Sequence, residues 1–222
     1  MKVEWLGRIA FDKAFALQQE LVERKAANRG EPDRFLLLEH EPVYTIGRTP
    51  DRSSLRDPAQ LPHAVVQINR GGQATYHGPG QLIGYPIIDL RRQNPDLHKY
   101  LRALEEIVIV LLESYGISAT RRDSLTGVWV TTRKIASIGV GLRKWITMHG
   151  FALNVCGDLS PFNAITPCGI AGVEMTSIER ELGVDGSVQV EDVVARMAQQ
   201  LDPVERISQL FPRAAESAHA PS

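Results

Sequence analysis

A chain of 222 residues, 43% hydrophobic and with a formal net charge of −1, is long enough to bury a sizeable core, and residues 1–213 read as one domain. The near-neutral balance lacks the basic excess that marks a nucleic-acid-binding protein. No apolar run approaches the length needed to cross a bilayer, and the first residues, Met1-Lys2-Val3-Glu4-Trp5, carry no export signal, so the sequence predicts a soluble, cytoplasmic protein with no membrane partner and with Cys156 and Cys168 as free thiols.

In chain order, Phe11, Phe15, Leu17, Leu21 and Val22 recur near helical spacing, and Glu23-Arg24-Lys25 before Asn28 and Gly30 marks a helix end. Phe35 to Glu39, stopped by His40-Glu41-Pro42, reads as a strand, as does the β-branched stretch Ala64 to Ile68. The polar, proline-containing residues 50–62 between them read as a loop. Asn94 reads as an N-cap with Pro95 at the first helical position. Leu97, Leu101, Leu104, Val108, Leu111 and Leu112 then form one apolar face, and Gly116 is the stop. Val128 to Thr131, Ile135 to Val140 and Trp145 to Val155 read as an antiparallel meander, with Arg143-Lys144 near a turn and His149-Gly150 interrupting the last strand. Helices are expected over 191–201 and 203–210, and a disordered tail over 214–222. The pattern is α/β.

Two segments carry chemistry. Residues 70–81, Arg-Gly-Gly-Gln-Ala-Thr-Tyr-His-Gly-Pro-Gly-Gln, place four glycines and a proline in twelve residues. Glycine admits positive φ and close approach of backbone to a ligand, at an entropic cost that a plain connection has little reason to carry. We read a binding loop. The second is Cys168, held between Pro167 and Gly169 in a turn suited to present a side chain to a pocket, whereas Cys156 ends an apolar strand. The thiolate is the reactive form, and a free thiol near pKa ~8.5 needs a cationic or basic neighbour at neutral pH. Lys134, at the head of the apolar segment 135–140, competes with His77 and His149 for that place, and the residues alone do not choose. There is no G-x-x-x-x-G-K-[ST] phosphate loop, and Gly139-Val140-Gly141 is too short for a dinucleotide fingerprint. Metal-ligand spacing and the local signatures of cysteine proteases are missing too.

Taken in order, Arg70–Gln81, Arg133–Val140, Met148–Val155 and Thr166–Ile170 resemble the octanoyltransferases, the lipoyl(octanoyl) transferases of lipoate biosynthesis, over about residues 34 to 180. The resemblance implies a mixed β-sheet flanked by helices, shared with biotin and lipoate protein ligases. It makes Cys168 the nucleophile and Lys134 its partner. It assigns acyl binding to Arg70, Gly71, Gly72, Gln73, Ala74, Thr75, Tyr76 and His77, to Ser137, Ile138 and Gly139, and to Gly150, Phe151 and Ala152. We give His77 a positioning role. Ala74 stands where related sequences often carry a larger apolar residue.

The implied reaction passes an octanoyl group from octanoyl-acyl carrier protein to Cys168. A lysine ε-amine of a lipoyl domain, on a 2-oxoacid dehydrogenase E2 subunit or the glycine cleavage H protein, then takes it as an amide. The acyl group arrives activated, so the resemblance implies neither a metal nor another cofactor. Both protein partners are typically acidic, and Arg91-Arg92, Arg121-Arg122 and Arg143-Lys144 are candidates to steer them. Two other classes stay open: an ATP-dependent lipoate or biotin ligase, which has no need of Cys168, and a non-catalytic acyl- or nucleotide-binding module.

Overall fold

A computed structural model describes residues 1–92, 96–184 and 186–201. Its elements run β1 (Lys2–Ile9), α1 (Phe11–Ala27), β2 (Arg34–His40), β3 (Val43–Ile46), β4 (Val65–Gln67), β5 (Thr75–His77), β6 (Gln81–Ile87), α2 (Leu97–Glu113), β7 (Thr120–Arg122), β8 (Leu125–Val130), β9 (Arg133–Arg143), β10 (Ile146–Asn154), α3 (Ile178–Leu182) and α4 (Val190–Leu201). Seven strands form a sheet in the order β1-β2-β6-β10-β9-β8-β7, and β4-β3-β5 form a second, smaller sheet. β1 pairs with β2 in parallel and every other neighbour in the large sheet is antiparallel. This is the mixed sheet flanked by helices that the resemblance implied.

The run Phe35-Leu36-Leu37-Leu38 is apolar at every position because β2 is covered on both faces. Phe35 and Leu37 join α2 and α4 in the larger core, with Leu104, Val108, Val193 and Met197. Leu36 and Leu38 join α1 in the other, with Ala14, Leu21 and Val22. The meander β8-β9-β10 lies where the sequence placed it. Its Lys144-Trp145 turn has positive φ at both residues, 52° and 64°, the twist that a two-residue hairpin needs.

Several expectations change. The N-cap of α2 is Asp96, whose carboxylate accepts the Lys99 N–H at 3.1 Å; an aspartate two residues later satisfies the open first turn. Asn94 and Pro95 lie outside the described residues, as do 203–210 and 214–222. β10 is not broken at His149-Gly150 but runs through to Asn154. His149 has φ 57° and gives its N–H to Gln18 Oε1 at 2.7 Å, while its register with Val140 of β9 is kept. β1, β3, β5, β6 and β7 were not anticipated.

Candidate active site

Cys168 sits in a single 3₁₀ turn, Pro167–Gly169, with left-handed φ 56° and ψ 16°. For a non-glycine residue that conformation costs on the order of 1–2 kcal/mol, so the surroundings must hold it. The Cys168 N–H donates to Ala74 O at 2.8 Å, and Gly169 N–H to Thr166 O at 2.9 Å. Gly169 has φ 71°, and a Cβ there would meet Gln73 Cγ at 2.8 Å. The cysteine turn is thus stapled to the glycine loop.

Lys134 is the second residue of β9 and only 1% exposed. Its backbone is held by the segment after Cys168: Lys134 N–H donates to Glu174 O at 2.8 Å and Thr176 N–H to Lys134 O at 3.0 Å. Its ammonium donates to Thr126 O at 2.9 Å and lies 3.4 Å from Cys168 Sγ. The Trp129 ring centroid is 5.1 Å from Nζ, a cation–π contact. No carboxylate pairs with Lys134 among the described residues. Ser137 Oγ lies 3.5 Å from the same sulfur.

Both groups line a cavity of about 390 Å³. Arg70, Gly71, Gly72, Gln73, Thr75, His77, Ser137, Ile138, Gly139, Gly150, Phe151 and Ala152 also line it, so three distant segments meet at one cavity. Ala74 and Tyr76 are not in its wall. Their side chains pack with Tyr44, Ile46 and Leu55 in the core of the small sheet, because alternate residues of β5 point to opposite faces. Ala74 serves the site through its carbonyl. Its size therefore bears on that core and not on cavity width. Sequence reasoning missed Arg48, Tyr85, Leu97, Leu101, Thr126 and Val140 as lining residues. The two leucines belong to the apolar face of α2, which read as core alone.

The buried Arg70 guanidinium donates from Nη1 to Gly71 O at 2.8 Å and from Nη2 to Thr45 O and Oγ1, both at 3.0 Å. His77 Nδ1 lies 2.8 Å from Gln81 Oε1, so Nδ1 carries the proton, and Nε2 faces Thr45 Oγ1 at 3.2 Å. The Gln81 amide donates to Asn154 Oδ1 at 2.9 Å, and the Asn154 amide to Thr176 O at 2.9 Å. His77 thus ties the glycine loop to the strand edge beside Lys134. His149 stacks on Phe15 with centroids 5.7 Å apart.

Desolvation holds His77 and His149 neutral, with pKa lowered to about 3, and His40 lowered to about 4. All three are buried. An unfolded histidine titrates near pKa ~6.5, so below that pH the unfolded chain binds protons that the folded chain refuses. The stability these groups contribute is full above pH 6.5 and drains away as pH falls toward 4. Thermal melts across pH 4 to 7 should show Tm falling steeply on the acid side; a flat profile would contradict neutral burial of the imidazoles.

Gly72 has φ 88°, and a Cβ there would lie 3.3 Å from Arg70 Nη1. Gly72→Val should cost about 1–3 kcal/mol of backbone strain and still fold. If the loop binds an acyl group, as the resemblance implies, the variant should slow acylation of Cys168 well beyond that loss, read by single-turnover mass spectrometry beside a thermal melt. A variant that unfolds outright would assign the loop a structural role.

Of the basic pairs, Arg91 is tied to Asp89 at 2.7 Å, Arg121 to Glu105 and Glu106, and Arg143 to Glu23 at 2.6 Å. Arg122 lies over the Trp129 ring, 4.7 Å from its centroid. Neither cysteine is in a disulfide. No helix among the described residues is long and apolar enough to cross a membrane.

A mixed sheet with a glycine-rich loop and a buried lysine beside a cysteine defines a class, and residues 11–202 match the model of the lipoyl protein ligase A/B catalytic domain. Lipoate-protein ligase A bound with ATP aligns with a TM-score of 0.69 at 16% identity, covering 95% of this chain and 85% of that one. A bipartite lipoate protein ligase from Thermoplasma acidophilum, described with its E2 lipoyl domain, aligns at 0.67 and 17%, covering 94% and 82%. The biotin protein ligase of Aquifex aeolicus aligns at 0.52 and 15%, covering 95% and 68%. These likenesses establish the fold. An octanoyltransferase of Geobacter sulfurreducens is 46% identical over 227 aligned positions, covering all of this chain and 95% of its own length. The chain belongs to the octanoyltransferase family and is an acyltransferase.

Proposed function

We propose that the chain transfers an octanoyl group from octanoyl-acyl carrier protein to the ε-amine of a lipoyl-domain lysine, through a thioester on Cys168. The observation that carries this reading is the 3.4 Å contact between Cys168 Sγ and the buried Lys134 ammonium inside the cavity. An ammonium without a carboxylate partner favours a thiolate beside it. That thiolate attacks the donor's thioester carbonyl: the new C–S bond forms to Cys168, the old one breaks, and the leaving thiolate takes a proton. That proton comes from the Lys134 ammonium, which is left as a neutral amine.

In the second half, the acceptor amine attacks the acyl-enzyme, loses its proton to the Lys134 side and expels Cys168, leaving an amide. The chain of the acyl group is met by Ile138, Val140, Phe151, Leu97 and Leu101, all on the cavity wall. Lipoyl domains of E2 subunits and of the glycine cleavage H protein are the acceptors we propose, in keeping with the E2 domain described with the Thermoplasma acidophilum ligase. The two unpaired thiols accord with the reducing cytoplasm.

Transfer from octanoyl-acyl carrier protein to a purified lipoyl domain, with and without ATP, tests the reading. Full transfer without nucleotide is expected. A requirement for ATP with free octanoate would instead make the chain an adenylate-forming ligase.

A further inference from the structure

Helix α2 carries one residue that packing does not explain. Glu105 is fully buried, between Ala103-Leu104 and Ile107-Val108 on the core-facing side of the helix. Burying a carboxylate is costly unless every oxygen is satisfied. Its Oε2 accepts Arg102 Nη1 at 2.7 Å and Arg121 Nε at 3.1 Å. Its Oε1 accepts the Gly127 N–H at 3.0 Å. Two guanidiniums neutralise the charge from the rim, and the remaining oxygen is spent on a backbone amide of β8.

That amide belongs to the peptide unit whose other end, Thr126 O, accepts the Lys134 ammonium at 2.9 Å. A trans peptide is planar, with N–H and C=O pointing in opposite directions. Fixing the N–H therefore fixes the carbonyl. Among the described residues no strand pairing does this job: β8 registers with β9 at Val128↔Ala136, Trp129↔Lys134 and Val130↔Arg133 and with β7 at Thr120↔Trp129 and Arg122↔Leu125, and Gly127 is in none of these pairs. Gly127 itself has φ 130°, where a Cβ would meet Lys134 Cε at 2.7 Å. Glycine clears room for the lysine, and it also leaves this peptide free to turn.

We infer that Glu105 is a positioning residue for Lys134: it clamps the Thr126–Gly127 peptide so that the Thr126 carbonyl holds the ammonium against Cys168. This inference rests on the Cys168–Lys134 reading above. Glu105 touches neither the sulfur nor the lysine; its effect passes through one peptide unit.

The test is the pH dependence of Cys168 alkylation by iodoacetamide, read by peptide mass, in wild type, Lys134→Ala, Glu105→Ala, Glu105→Gln and Leu112→Ala. Leu112 is a fully buried core residue of the same helix, so its variant reports general loosening of α2. Glu105→Ala should move the profile to higher pH, in the direction of Lys134→Ala but less far, and slow acylation at pH 7 by up to about 10²-fold. Glu105→Gln keeps a carbonyl for Gly127, since the half-exposed Arg102 and Arg121 can swing aside, and should keep the wild-type profile. Leu112→Ala should lower Tm without moving it.

A wild-type profile for Glu105→Ala, or an equal shift in Leu112→Ala or Glu105→Gln, overturns the inference while a shifted Lys134→Ala leaves the dyad standing. An unmoved Lys134→Ala overturns both. Should Glu105→Ala not fold, Glu105→Asp takes its place with the same expected shift: it keeps the charge but draws the carboxylate back from Gly127.

Discussion

Cys168→Ala is expected to abolish octanoyl transfer, a loss on the order of 10⁶-fold such as removal of an enzyme's covalent nucleophile produces, with Tm close to wild type. The thiol lies in a turn fixed by backbone hydrogen bonds to Ala74 O and Thr166 O, and these survive the substitution. Little packing is lost, since Cys168 is half-buried against the cavity and is not part of a core cluster. Cys156→Ala should transfer normally. Burial, with Glu179 nearby, pushes the Cys156 thiol up, and Cys156 does not line the cavity that holds Lys134. Transfer assays on the two variants separate these roles; loss of activity in Cys156→Ala with retention in Cys168→Ala would reverse the assignment.

Lys134→Ala should slow acylation of Cys168 by about 10²–10⁴-fold, the range attributable to a positioned acid or base. The variant removes the cation 3.4 Å from the sulfur and leaves Thr126 O without the lysine that donates to it. Lys134→Arg separates two contributions, because a guanidinium keeps the charge and cannot give up its proton at working pH. Rapid-quench measurement of both half-reactions should place Arg between Ala and wild type in acylation. Transfer to the acceptor amine, which also needs a proton removed, should stay severely slowed. Wild-type rates in the Arg variant would reduce Lys134 to an electrostatic partner, and wild-type rates in both would dissolve the pair.

The meander and the helical faces of α1, α2 and α4 were legible in the sequence because each follows a hydrophobic period. β6 was not. It contains Gly84 and Pro86, residues that argue against a strand, yet both have local reasons. A side chain at Gly84 would overlap the Phe151 ring. Pro86 lies beyond the residues of β6 paired to β10, with its carbonyl accepting the Thr147 hydroxyl at 2.6 Å. β5 was hidden inside a segment read wholly as loop; the resemblance assigned Ala74 and Tyr76 to acyl binding, and once Thr75 to His77 is a strand, side-chain alternation turns Tyr76 away from the cavity. The pairing of Lys134 with Cys168 came from resemblance alone. The two residues are 34 apart in the chain, joined through the Glu174–Thr176 backbone and the cysteine turn, and no periodicity reports such a contact. Glu105 carried no reading of its own in the sequence; only the structure shows its oxygen on the Gly127 amide.

The central claim is a covalent octanoyl group on Cys168, and intact-mass analysis after mixing the protein with octanoyl-acyl carrier protein, followed by peptide mapping, tests it most directly. A single octanoyl adduct on the peptide containing Cys168, discharged when a lipoyl domain is added, is the expected result. An adduct confined to Cys156, or active enzyme that never carries an adduct under single-turnover conditions, would contradict it.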